Sequence, residues 1–272
     1  MAAQYVSRTH PGYREGENED EVACDPDHGL CFVADGMGGH AAGAVASNVV
    51  KRTLLSLAGQ VPLDTAVLKA HEAVLADAAS EPRHTGMGST VVAAQLKGSK
   101  STIVWVGDSR AYLWHRDTLR GVTRDHSFIE GLRAQHLLTE AELREHPQRH
   151  LVTQSLGIGS PIPSRIETRL HWGDWLLLCS DGLTDELDDD AIADVLRAHP
   201  KPEEAGDALI AAALERGGHD NVSVAIIAYG PPAIRKSLSA LSERTLVVLA
   251  ILTGIVGALA IEAVWSLLYR SR

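Results

Sequence analysis

The stretch CFVADGMGGH (residues 31–40) runs an apolar segment straight into an Asp-Gly turn. WLLLCSDGL (175–183) repeats that junction at Asp181, TIVWVGDSR (102–110) ends its run at Asp108 with the small Ser109 next, and HDNVSVAII (219–227) reverses the order, with Asp220 and Asn221 opening the run. A strand that ends in Asp-Gly brings a carboxylate to the rim of a sheet, and the glycine lets the backbone carbonyl turn toward the same point. One such end is an ordinary turn. Four of them, with Asn18, Glu19 and Asp20 near the start of the chain, predict oxygen ligands converging on hard divalent cations such as Mg²⁺ or Mn²⁺. The sequence offers no cysteine cluster and no paired-histidine helix as a softer alternative.

Around these junctions, strand-like and helix-like patterns come in runs instead of strict alternation. Strands are expected at 29–35, 88–97, 101–107, 110–115, 165–171, 174–180 and 221–229. Helices are expected at 40–57, 64–80, 188–198 and 202–216. Pairs of strands followed by pairs of helices indicate α+β layers. Residues 127–150 are polar and helix-prone. The run 185–190 packs five acids into six residues and reads as a solvated helix start, with acids near the positive end of the helix dipole.

The 272 residues carry a net charge of −10 with 45% hydrophobic content, a globular composition whose sign excludes a nucleic-acid backbone as partner. Cys24, Cys31 and Cys179 show no CxxC spacing. Cys31 and Cys179 sit in apolar runs as small core residues and Cys24 in a polar stretch, so a disulfide framework is not expected and a reducing compartment is. No apolar leader follows Met1, which places the bulk of the protein in the cytoplasm.

The C-terminal part breaks the globular pattern. Thr245 to Ile261 carries no charge, and after Glu262 the apolar character continues to Tyr269. About 20 apolar residues span a bilayer, so 245–269 is expected to be a transmembrane helix. Trp265 and Tyr269 would stand at an interface, and Arg270 and Arg272 among headgroups in the short tail 270–272. Gly254 and Ala258 form a small-xxx-small pair suited to helix dimerisation. Residues 1–230 are then a cytoplasmic domain, joined to its anchor by the juxtamembrane linker 231–244.

The ordered set ENED (17–20), ADGMGGHAAG (34–43), GSTVVAA (88–94), VGDSRAYL (106–113), TRDHS (123–127), LVTQSLG (151–157), LCSDGLTDEL (178–187) and HDNVSVAII (219–227) resembles the metal-dependent type 2C Ser/Thr protein phosphatases, in their bacterial form, over residues 5–229. The resemblance implies a four-layer α-β-β-α sandwich of two antiparallel sheets, with the metals at one edge. It implies hydrolysis of phosphoserine and phosphothreonine in proteins by a hydroxide bridging two Mn²⁺ or Mg²⁺ ions, with no phosphoenzyme. Phosphorylated proteins are the implied partners, together with a partner Ser/Thr kinase.

Carried over residue by residue, Asp35 matches the bridging carboxylate, Gly36 a carbonyl ligand, and Asp181 and Asp220 ligands of the first ion. Glu19 matches the acid beside the second ion, with Asp20 a direct or water-mediated neighbour. Asp108 matches an acid that, with Asp181, holds a weaker third ion. Arg14 is the phosphate-binding candidate, since a guanidinium matches phosphate oxygens two at a time. Its spacing to Asn18 is one residue longer than in many members; Gly16 absorbing the extra residue as a bulge is one reading, and Arg14 as only a surface residue is the other. For the general acid, His40 is the nearest histidine, since methionine occupies position 37; water doing the job, or His40 merely starting the next helix, are the alternatives. His126 is expected to order its turn, and 88–90 to be a structural strand start. Residues 127–150 correspond to a flap beside the site, and Gln154 and His150 replace residues common in relatives. A non-catalytic scaffold or phosphoprotein-binding regulator at the membrane is the competing reading; a missing ligand acid would favour it, and all matching acids are present.

Overall fold

A computed structural model describes residues 3–14, 16–38, 42–136, 138–139, 142–143 and 146–230. The linker 231–244, the expected transmembrane helix 245–269 with Gly254 and Ala258, the tail and His40 lie outside the described residues. Among the described residues no helix is long and apolar enough to cross a membrane.

The apolar runs become central strands. β10 (Trp175–Cys179) is buried at every residue and β11 (Val222–Tyr229) at all but the last, because both lie between two apolar layers. They are the middle of a sheet ordered β1-β11-β10-β7-β8, with β1 spanning Ala3–His10, β7 Arg110–His115 and β8 Thr118–Gly121. The second sheet runs β2-β3-β5-β6-β9, formed by Asp20–Asp25, Leu30–Met37, Val91–Lys97, Lys100–Val106 and Ser164–Arg169. β4 (Gly88–Ser89) pairs β3 beside it. All of these pairings are antiparallel.

Three cores define four layers. Cys31, Val33, Val92, Ile103, Leu176 and Ile227 meet between the sheets. α1 (Ala42–Leu57) and α2 (Leu63–Ser80) cover the outer face of the second sheet through Val50, Leu54 and Val67 against Phe32 and Val104. α5 (Asp189–Ala198) and α6 (Pro202–Arg216) cover the first sheet through Ile192 and Leu209 against Leu177 and Ile226. The shorter helices are α3 (Phe128–Ala134) and α4 (Asp181–Thr184). Shared between these layers, the apolar residues form the α-β-β-α sandwich implied by the motifs.

Several expectations are corrected. The strands β1, β2 and β8 have no counterpart in the sequence reading: their residues are mostly half-buried or exposed, so polar side chains interrupt the apolar pattern. The expected strand 88–97 is split at Thr90, which turns its side chain to the site. Cys24 and Cys31 are directly opposite on β2 and β3 and joined as a disulfide, where none was expected; cross-strand proximity is a property of register, invisible in linear spacing. Cys179 is free and buried, as a core residue should be.

Candidate metal centre

Antiparallel register brings the acids together at one end of the sandwich. Asp20 opens β2 directly opposite Asp35 near the end of β3. Asp108 follows β6, Asp181 follows β10 and opens α4, and Asp220 precedes β11. Two glycines let backbones close in around them. A Cβ on Gly36 would stand 2.0 Å from the Gly43 carbonyl oxygen, and one on Gly182 would stand 2.1 Å from that of Asn221. α1 therefore presses on the Asp35-Gly36 step within β3, and α4 on the residue that precedes β11.

Neutral side chains hold the acids in place. The Asp35 amide donates to Thr90 Oγ1 at 3.2 Å, while its carbonyl accepts from the Thr90 amide at 2.8 Å. Thr90 Oγ1 in turn lies 2.7 Å from Ser109 Oγ. Ser180 Oγ donates to Asp20 Oδ2 at 2.8 Å. Asn221 accepts from the Glu19 amide at 2.7 Å and donates to the Pro11 carbonyl at 2.8 Å, tying the β1–β2 loop to β11. Sequence reasoning missed Ser109, Ser180 and Asn221 as positioning residues although each adjoins a ligand candidate within its motif; that adjacency was the available signal.

The electrostatics are those of a cation site. Burial, then the charges of Asp181 and Asp220, pushes Asp20 up to about 8 despite its hydroxyl partners. Burial, then Asp181 and Asp125, pushes Asp108 up to about 8. Asp35 is held well above the carboxylate range by burial and by Asp181, Asp20 and Asp108. Asp181 rises to about 6 through burial, Asp185 and Asp220. Asp108 Oδ1 is buried with no hydrogen-bond partner, a costly state for a carboxylate. Carboxyls raised by one another's charge, together with an orphaned oxygen, fit divalent ions.

Arg14 donates to Asp220 at 2.5 Å and to Glu19 at 2.8 Å, so the phosphate-binding candidate and two ligand candidates share one corner. The extra residue is not a β-bulge. Gly16 (φ +130°) lies in the loop between β1 and β2, where nothing approaches its Cβ position within 4 Å.

His126 orders its turn as expected. It accepts from the Gly107 amide at 3.2 Å, reaches Ser164 at 2.9 Å and stacks on Trp105. Arg110 of GDSR grips Asp125 of TRDHS with two nitrogens, at 3.0 and 2.7 Å. The described part of 127–150 begins as α3, capped by Ser127, and is pinned to 151–153 by Phe128 N to Leu151 O at 2.9 Å and Thr153 N to His126 O at 2.7 Å. Gln154 accepts from the Ile162 amide at 2.8 Å.

The acidic run 185–190 divides, contrary to the single solvated helix start expected. Asp188 caps α5 by accepting from the Ala191 amide at 2.9 Å. Glu186 binds His219 at 2.7 Å. Asp185 turns to the site, where its carboxylate, that of Asp181 and His150 Nδ1 come within 4.8 Å of one another. That grouping needs the tertiary fold, since His150 and Asp181 are 31 positions apart.

Residues 13–215 match the protein phosphatase 2C family profile. The chain belongs to the protein phosphatase 2C family. It is similar to the serine/threonine protein phosphatase PstP of Mycobacterium tuberculosis, with 36% identity over 83% of this chain and 45% of that protein, so it spans less than half that relative's length. It is 32% identical to the serine/threonine phosphatase stp of Listeria welshimeri over 81% of this chain and 93% of that one. The crystal structure of mycobacterial PstP superposes with a TM-score of 0.78 at 36% identity, covering 85% of this chain and all of that one. A structure of the PstP catalytic domain with two manganese ions gives 0.74 at 35% identity, covering 83% and 97%. This phosphatase 2C chain thus gathers its aspartates on a fold that it shares with a relative whose structure holds two manganese ions.

Proposed function

We propose that this chain hydrolyses phosphoserine and phosphothreonine esters in proteins, using Mn²⁺ or Mg²⁺, at the cytoplasmic face of a membrane. The observation that carries the reading is the gathering of Asp20, Asp35, Asp108 and Asp181 at one end of the sandwich with raised carboxyl pKa values, next to Arg14.

Asp35, Asp181, Asp220, Glu19 and the Gly36 carbonyl would hold two ions, with Asp20 beside them and Asp108 reserved for a third. Bound there, divalent ions supply positive charge to phosphoryl oxygens and lower the pKa of water. The protein's own part is positioning. Thr90 fixes the backbone of Asp35. Arg14 spends its two terminal nitrogens on Asp220 and Glu19, and would turn this planar fork to two phosphate oxygens once those carboxylates hold an ion. His40 is the candidate proton donor to the leaving oxygen.

The membrane reading is supported by the uncharged run 245–261 and its continuation to 269, and the cytoplasmic side by Arg235, Lys236 and Arg244 in the linker. Gly254 and Ala258 support pairing of that segment with a second copy. Substrates are then phosphoproteins made by a Ser/Thr kinase of the same cell.

The decisive assay is Mn²⁺-dependent phosphate release from a phosphothreonine peptide, with Asp35→Asn and Asp181→Asn as controls. Activity that survives EDTA, or that both variants retain, sinks the mechanism. Fractionation of the full chain against one ending at 240 tests the anchor; equal partition into the soluble fraction removes it.

A further inference from the structure

The end of the sandwich opposite the acids carries an exposed tryptophan. Trp172 is 65% exposed at the tip of the turn between β9 and β10. Its position is not loose. The Gly173 amide donates to the Tyr229 carbonyl at 2.8 Å, the Tyr229 amide to the Asp174 carbonyl at 2.8 Å, and the His171 amide to Asp174 Oδ2 at 2.7 Å. Trp172 also packs edge-on against Tyr229, with ring centroids 5.9 Å apart. A large ring on a fixed turn, partly packed on Tyr229 and otherwise in solvent, is suited to an interface that is apolar on one side and wet on the other.

Cations adjoin it. The Leu170 amide donates to the Ser99 carbonyl at 2.8 Å, which fastens this turn to the β5–β6 hairpin. There Lys97 is directly opposite Lys100, and Lys100 directly opposite Arg169, a row of three positive charges across β5, β6 and β9. Like charges in register oppose sheet formation. Lys100 is paired with Glu167 at 2.7 Å, whereas Lys97 and Arg169 are exposed with no ion-pair partner among the described residues. Of the acids at this end, Asp25 pairs with His28 and Asp174 is buried beneath His115, while Asp27 in the β2–β3 turn is exposed. Lys97 and Lys100 also line a cavity of about 440 Å³ under the α1–α2 turn, together with Arg165 and the acids Asp64 and Glu167, and Glu167 pairs with both Lys100 and Arg165.

We infer that this rim, with Trp172 at its tip and the Lys97–Lys100–Arg169 row beside it, rests on an anionic phospholipid surface. The inference builds on the membrane reading above. Gly230, the last described residue, immediately follows Tyr229, so the end of the described domain that carries Trp172 is the end from which the sequence continues toward 245–269. Tryptophan at headgroup depth and lysine or arginine against anionic lipid are the two recognised adhesive elements of such a surface. β11 spans the domain in eight residues from the acid end to this rim, roughly 25 Å at about 3.3 Å per residue. The acid end and this rim are thus opposite ends of the described domain.

The test uses the full chain in nanodiscs of phosphatidylethanolamine and phosphatidylglycerol, with Trp265→Phe to silence the tryptophan of the apolar run. Quenching by lipids brominated near the headgroup should be strong, and Trp172→Phe should abolish most of it. The triple reversal Lys97→Glu, Lys100→Glu and Arg169→Glu leaves Trp172 in place and should also lower its quenching, while Mn²⁺-dependent peptide hydrolysis stays unchanged in all variants. Co-elution with the nanodisc without any Trp172-dependent quenching overturns this docking face and leaves the anchor standing. A chain that never enters the nanodisc removes the anchor, and this inference with it.

Discussion

The two ends of the sandwich are built by opposite rules from the same strands. At one end β3, β6 and β10 run into carboxylates that are packed against one another and raised in pKa by burial and mutual charge. At the other, the same sheets turn through solvent with Trp172 and three cations in register. Each end holds a local arrangement that costs stability: crowded acids in one case, an exposed ring and aligned like charges in the other. A fold accepts such costs where a ligand offsets them, a divalent ion at the first end and, by our inference, a lipid surface at the second.

The comparison breaks most decisively at the acid end. Asp35→Asn or Asp181→Asn should lower kcat by at least ~10³-fold, comparable with or beyond the loss of a single preorganised charge-stabilising group, while circular dichroism stays native; activity within tenfold of the parent would show that this end is not the catalytic one. Arg14→Ala should cost roughly 1.5–3 kcal/mol in kcat/KM, or ~10–100-fold, and Arg14→Lys should recover little because the planar fork is lost. Steady-state kinetics on a phosphothreonine peptide would read both.

Proton linkage sharpens the contrast. Asp20 and Asp108 near 8 and Asp181 near 6 hold protons in the folded domain that the unfolded chain, with carboxyls near 3.8, releases. More protons bound in the folded state means that stability is greatest below the unfolded pKa and falls as pH rises through the folded values. In EDTA, Tm should therefore drop between about pH 4 and pH 8, and saturating Mn²⁺ should reverse the drop at the upper end. A Tm in EDTA that rises across that range would contradict the crowded-acid description.

Smaller effects separate stability from chemistry within the β2–β3 hairpin, which has Asp20 opposite Asp35 at one end and the Cys24–Cys31 bond toward the other. Reduction, or Cys24→Ser, should lower stability by about 2 kcal/mol, given the short loop it closes, with little change in activity of the folded protein. Thiol titration of protein extracted under alkylating conditions should find Cys24 and Cys31 blocked to the reagent, as the bond requires. Thr90→Val should cost about 1 kcal/mol of stability, because it leaves Ser109 without its partner, and should weaken Mn²⁺ binding measured calorimetrically through the loosened Asp35 backbone.

Much of this was legible in the chain. The buried central strands β10 and β11 read as apolar runs, and the ends of such runs named Asp35, Asp108, Asp181 and Asp220 before any geometry was known. The edge strands β1, β2 and β8 were not legible, because half-exposed positions admit Arg8, Glu21 and Arg120 and erase the pattern. Gly16 was misjudged for a related reason: whether an inserted residue bulges a strand or lengthens a loop depends on where the strand ends.

The sequence by itself determined which chemistry this protein carries, since residue type sets ligand hardness and short motifs set which carboxylate stands at a strand end. Only the tertiary structure decided which groups meet. Register placed Asp20 opposite Asp35 and Cys24 opposite Cys31, and chain crossing brought His150 to Asp181 and Asp185. The sheets' orientation put Trp172 and its cations at the far end from the metals. Spacing along a chain fixes neighbours within a few residues; pairing across strands and layers follows from how buried surfaces fit, which no local pattern encodes.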